Sequence, residues 1–106
     1  MLGFGEVLKR MRGQHNISQR ELGERIGLDF TYISKIENEA MPAPSEEKLI
    51  LMAQIFGVNE YDFILMAGRV PTDFEIAIKS DKEVQELLKE KVKMYPKPHL
   101  KESKAK

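Results

Sequence analysis

The sequence predicts an all-α fold: five helices in an N-terminal domain, then a helical extension. Three observations carry this. Apolar residues recur at i, i+3, i+4 and i+7, first at Phe4, Val7, Leu8 and Met11. Residues that favour helix N-caps, Ser18, Asp29, Ser45 and Asn59, stand just before such stripes. Glycines follow them at Gly13, Gly27, Gly57 and Gly68, where a left-handed residue ends a helix.

Each element follows from its own residues. The first helix is expected over the Phe4 to Met11 stripe, with Lys9, Arg10 and Arg12 off it; Gly13 ends it and residues 14–17 connect onward. Ser18 and Glu21 form a capping box that opens the second helix, where Leu22 and Ile26 share a face. Gly27 closes it, Leu28 plugs the turn, and Asp29 caps a third helix with Ile33 and Ile36 on its buried side. Two short helices crossing at a tight turn cannot bury both apolar faces alone, so a further helix must lie behind them. The opposite face of the third helix, with Phe30, Thr31, Ser34 and Lys35, then projects outward. A helix held this way fits the major groove of B-DNA.

Pro42 and Pro44 stop any helix from running through the next loop. Ser45 caps the fourth helix, with Glu46 and Glu47 in its first turn and Leu49, Met52, Ala53 and Phe56 as its core stripe. Ile50, Leu51 and Ile55 make it apolar on more than one side, which calls for a second partner. Asn59 caps the fifth, residues 60–67, where Tyr61, Phe63, Ile64, Leu65 and Met66 are apolar almost all round. Met41, Met52 and Met66 read as adaptable core and interface. Capping boxes at Thr72 and Ser80 open a short helix with Phe74, Ala77 and Ile78 and a longer one, to about residue 93, with Val84, Leu87, Leu88 and Val92. The Lys-rich end after Pro96 is expected to be disordered. The domain reading is residues 1–70, a helical extension over 71–95 that offers a dimer or partner surface, and a basic tail over 96–106.

Composition narrows the function. The chain has 106 residues, 42% hydrophobic and 32% charged, which fits a folded globular protein. With no cysteine there is no disulfide framework and no Cys-based zinc site, and His15 and His99 are too far apart in sequence to indicate a metal. No apolar run reaches membrane-spanning length and none at the N-terminus resembles a signal peptide, so a cytoplasmic protein without membrane contact is expected. No phosphate-binding glycine loop or catalytic His pattern is present; the expectation is no enzyme and no cofactor. Net charge is zero, yet unevenly spread: six Lys/Arg against four Asp/Glu in residues 1–36, two against eight in 37–75, nine against five in 76–106. The outward helix therefore belongs to a mildly basic segment, with moderate non-specific affinity for phosphate expected.

The pattern SQ-x-x-L-G-x-x-I-G-L-x-x-x-Y-I-S-x-I-E-N at residues 18–38, followed by P-A-P-S-E-E-x-L and AQIFGV, resembles the Cro/lambda-repressor-like (Xre-type) helix-turn-helix family, over roughly residues 4–67. The resemblance implies a five-helix lambda-repressor-like domain that binds double-stranded DNA. It places base reading at Phe30, Thr31 and Lys35: Lys35 donating to guanine, the Thr31 methyl against thymine, and Phe30 either on thymine methyls or folded back on the domain. It places phosphate contacts at Arg12, Gln19 and Asn38, the last also a natural left-handed helix end; Tyr32 and Ser34 flank the reading face and touch the DNA backbone. Glu37 resembles the acid that ends this motif, with Arg10 as a candidate partner. Two positions depart from the family: Gly23 stands where many members have Ala, and Glu39 where many have Gly before a basic residue.

One reading helix spans few base pairs, so useful specificity needs two, about 34 Å apart on a pseudo-palindrome. A homodimeric transcriptional regulator, a repressor, is the expectation, with Ile50, Leu51, Ile55, Ile64, Leu65, Val84, Leu87 and Leu88 as its dimer or partner surface. The alternative is an antitoxin or adaptor of the same fold whose main role is to bind a protein partner, a toxin or a regulator.

Overall fold

The computed structural model describes residues 3–95. They form seven helices: α1 Phe4–Gln14, α2 Gln19–Ile26, α3 Phe30–Glu37, α4 Glu46–Phe56, α5 Glu60–Met66, α6 Thr72–Ser80 and α7 Lys82–Val92. There is no strand among the described residues. The chain divides after Pro71 into two compact units. The expected disordered tail, 96–106, lies outside the described residues.

In the first unit the caps read from sequence are made. Ser18 Oγ accepts from the Glu21 N–H at 3.0 Å, Asp29 Oδ1 from Thr31 at 2.8 Å, and Asn59 Oδ1 from Asp62 at 3.1 Å. Gly27 (φ 77°) and Gly57 (φ 69°) end α2 and α4 in the left-handed region. Lys48 of α4 donates its ammonium to the Ile26 carbonyl at 2.7 Å, placing a cation on the negative end of α2. Leu8, Leu22, Ile26, Ile33, Ile36, Leu49, Met52, Phe56, Phe63 and Ile64 make one core fed by all five helices. Phe63 anchors its far side, meeting Phe4 edge-on at 5.6 Å between ring centroids and Phe56 at 6.2 Å.

Several helix ends differ from expectation, and at three of them the reason is local. Helix α1 runs through Gly13 to Gln14, and Asn16 (φ 54°) takes the left-handed position. The turn is closed there by backbone bonds from His15 and Ile17 to the Arg12 carbonyl. Asn38 keeps a right-handed backbone (φ −91°); the left-handed residue is Glu39 (φ 61°). Ser80 belongs to α6, where its hydroxyl donates to the Ile76 carbonyl at 2.6 Å. Asp81 is the cap of α7, accepting from Glu83 at 2.9 Å and Val84 at 3.3 Å. A carboxylate is the stronger acceptor at a helix N-terminus, so the boundary moves by one residue.

The second unit is a pair of short helices. Phe74, Ala77 and Ile78 of α6 and Val84 and Leu88 of α7 line one apolar cleft, yet no residue of either helix is buried.

Helices α1 and α3 approach so closely at Gly5 that an added Cβ would collide with the carbonyl oxygens of Ile36 and Glu37. Gly23 meets the Leu28 carbonyl in the same way, which explains the small residue at the turn. Backbone cannot yield as a side-chain tip can. Gly5→Ala is therefore expected to lower unfolding stability by about 1–3 kcal/mol, read from the urea midpoint; an unchanged midpoint would show that the crossing is loose.

Candidate nucleic-acid interface

Helix α3 has two faces. Ile33, Ile36 and Glu37 are buried; Phe30, Thr31 and Lys35 are exposed, and Tyr32 and Ser34 are half-buried at its flanks. Asn38, just beyond the helix, is exposed. The α2–turn–α3 geometry thus leaves one ridge of α3 uncovered along its length.

What holds that ridge in place is Glu37. Its side chain is only 2% exposed and lies against Arg12 at 2.7 Å. Arg12 donates from Nε to Oε2 and from a terminal nitrogen to Oε1 at 3.0 Å, a bidentate pair. Its remaining terminal nitrogen donates to the Ile17 carbonyl at 2.9 Å. Gln19, the first residue of α2, donates its side-chain amide to Glu37 Oε1 at 3.0 Å. One carboxylate therefore joins α1, α2 and α3, and it is fully satisfied. The hydrogen bonds to Glu37, ahead of the opposing effect of burial, raise the Arg12 pKa, so the guanidinium stays charged.

This geometry bears on two readings of the sequence. Arg12 is turned inward, its side chain 16% exposed, because Glu37 and the Ile17 carbonyl take its donors; it supports α3 from behind. Arg10, the candidate partner of Glu37, faces Glu6 one turn away at 3.7 Å on the surface. Gln19 reaches the predicted edge of α2, but its amide nitrogen is committed to Glu37.

At the leading end of α3, Asp29 Oδ1 accepts from both the N–H of Thr31 and its hydroxyl, the latter at 2.6 Å. These two bonds, with a smaller pull from the Arg20 charge, hold the Asp29 carboxyl below its ordinary pKa. The Thr31 hydroxyl is thereby fixed by its own cap. Phe30 does not fold back onto the core: it is 36% exposed, with the Arg20 guanidinium over its ring at 4.2 Å. Sequence reasoning passes over Arg20 because its partner is ten positions away on another helix. It also misses Glu39, whose carboxylate accepts from the Gly5 N–H at 2.9 Å and so caps the N-terminus of α1. That bond explains an acid in a left-handed position where the resembled family favours glycine.

Of the residues expected on an apolar docking surface, Ile64 is in the core at 1% exposure, because Phe63 and Ile64 form the inward face of α5. Ile50, Leu51 and Ile55 are partly buried against that core. Leu65, Leu87 and Leu88 are exposed, and Val84 is half-buried in the second unit.

Glu37→Ala removes one member of a buried pair and leaves Arg12 uncompensated. The expected loss is about 3–5 kcal/mol by denaturant unfolding. A loss below about 1 kcal/mol would mean the pair is solvated.

A family model described as Helix-turn-helix matches residues 8–63. No curated protein matches the chain. Among solved structures, the chain is similar to the master regulator for biofilm formation SinR in its crystal structure with DNA, at 26% identity and a TM-score of 0.52, over 57% of this chain and 97% of that one. It is also similar in fold to the SinR protein/SinI protein complex, at 22% identity and a TM-score of 0.52, over 83% of this chain and 93% of that one. Among the described residues no helix is long and apolar enough to cross a membrane. The family match covers more than half of the chain and contains α2, the turn and α3 whole; this protein belongs to the helix-turn-helix family of DNA-binding regulators and is not an enzyme.

Proposed function

We propose that the protein is a sequence-specific transcriptional repressor that binds a pseudo-palindromic operator as a homodimer and represses by occluding polymerase. The observation that carries this is the two-faced α3: Ile33, Ile36 and Glu37 locked inside, Phe30, Thr31 and Lys35 outside. A ridge rigidly backed by the domain can enter the major groove without reorganising, so little binding energy is lost to ordering it. Likeness to SinR, solved with DNA, supports the same reading. Lys35 donates to guanine O6 or N7, the Thr31 methyl meets thymine, and Phe30 presents its ring edge to thymine methyls. Tyr32, Ser34, Asn38 and the first-turn N–H of Gln19 lie against the sugar–phosphate backbone.

The dimer is proposed from the lack of core in the second unit. Two helices of 9 and 11 residues with nothing buried are marginal alone in water. Covering Val84, Leu87 and Leu88 with a second copy would supply what they lack, with the outer flanks of Ile50, Leu51, Ile55 and Leu65 in the first unit as a further apolar surface. The same exposed apolar residues favour a second reading, in which the chain is an antitoxin or adaptor whose main role is to hold a protein partner, a toxin or a regulator.

Selection of bound duplexes from a random pool, at stated near-physiological salt, should enrich an inverted repeat with half-sites about 34 Å apart. Lys35→Ala should then cost about 1–3 kcal/mol on that duplex and relax preference at one base pair; equal weakening on random DNA would remove Lys35 from base reading. Leu87, 64% exposed, is the better place to test the dimer. Leu87→Glu should yield monomers in sedimentation with helical content kept, and an unchanged dimer would place the interface elsewhere.

A further inference from the structure

All five arginines of the chain lie among the described residues, and four of them are engaged by protein oxygens. Arg10 faces Glu6, Arg12 holds Glu37 and Ile17, Arg25 faces Glu21 at 3.8 Å, and Arg69 donates to the Ala43 carbonyl. Arg20 is different. Among the described residues no oxygen accepts from it, and its one close partner is the face of Phe30, 4.2 Å from guanidinium carbon to ring centroid. Stacking of this kind satisfies the cation through the ring quadrupole and leaves every N–H donor, all in the guanidinium plane, unspent.

We propose that Arg20 is a base-reading residue, which Phe30 holds as a platform so that its planar fork donates to O6 and N7 of a guanine in the major groove. The inference rests on the reading of α3 as the major-groove helix. Phe30 is the first residue of α3, and the leading end of a recognition helix is the part that reaches base edges. An arginine free in solution loses substantial rotamer entropy when it is fixed on a base; a stacked one has lost part of it already. Asp29, the cap of α3 and the residue before Phe30, favours a base over phosphate. A carboxylate at this end of the helix repels phosphate oxygens. A G·C pair instead brings the cytosine N4 amino group, a donor that a carboxylate accepts. The reading end of the protein thus consists of α3 and one residue of α2. Phe30 serves on two sides: its face carries Arg20 and its edge remains free.

The test compares the wild type, Arg20→Lys and Arg20→Ala on the wild-type selected duplex and on its single-base-pair variants, with the salt dependence of each. Arg20 is exposed and donates no hydrogen bond to a described residue, so both variants should unfold at the wild-type temperature. The expected result is one G·C position at which the wild type discriminates by about 5- to 100-fold and both variants do not. Arg20→Lys keeps the charge and should keep the wild-type salt slope, since only the fork is lost. A Lys35→Ala control should lose preference at a different position. Variants that keep all preferences, or that weaken every duplex alike with a shallower salt slope, would overturn the inference and leave the α3 reading standing. A wild type that selects no sequence would overturn both.

Discussion

The outward ridge of α3 depends on one buried carboxylate. Glu37, the last residue of α3, takes a bidentate pair from Arg12 of α1 and a third bond from Gln19 of α2. Ion pairs sequestered from water add little net stability, because desolvation offsets their attraction. What this one contributes is geometry. Three helices whose apolar faces could slide over Leu, Ile and Met are fixed at one point by directional bonds, and the outward ridge of α3 inherits that fixed position. Gly5 works with it. Without a side chain there, α1 lies directly on the carbonyls that end α3, which brings Arg12, two turns further along, within reach of the acid.

Charge is distributed to match. With no net charge, the protein cannot rely on a strong non-specific pull toward phosphate. Several acids of the first unit are spent within it: Glu37 is buried against Arg12, Glu39 caps α1, and Asp29 caps α3. Lys35 and Arg20 remain uncommitted to any acceptor among the described residues. A binder built this way gains more from correctly placed donors than from charge.

The helices were legible in the sequence because their signals are local. A serine three residues before a glutamate, or a glycine after an apolar stripe, acts within one turn of backbone, and the caps at Ser18, Asp29 and Asn59 are where those residues place them. The boundary shifts came where two local choices compete, as Ser80 and Asp81 do for the start of α7. The outward and inward faces of α3 were legible too, since 3.6-residue periodicity assigns them. The partners of Glu37 were not. Arg10 and Arg12 are both basic and both off the apolar stripe, and only the crossing angle of α1 on α3 decides which reaches the acid. The Arg20–Phe30 stack and the Glu39 cap are likewise contacts between distant segments. Ile64 shows the limit of patterning: in a helix apolar almost all round, the sequence does not say which side faces the core.

The central claim is that α3, backed by Glu37, is the surface that meets DNA. Titrating the isotope-labelled protein with its selected duplex and following each amide and side-chain resonance tests it directly. The largest shifts are expected on Phe30, Thr31, Lys35 and Gln19, with Arg12 and Glu37 unchanged in their pairing. Shifts confined to α6 and α7, with the α3 ridge silent, would contradict it.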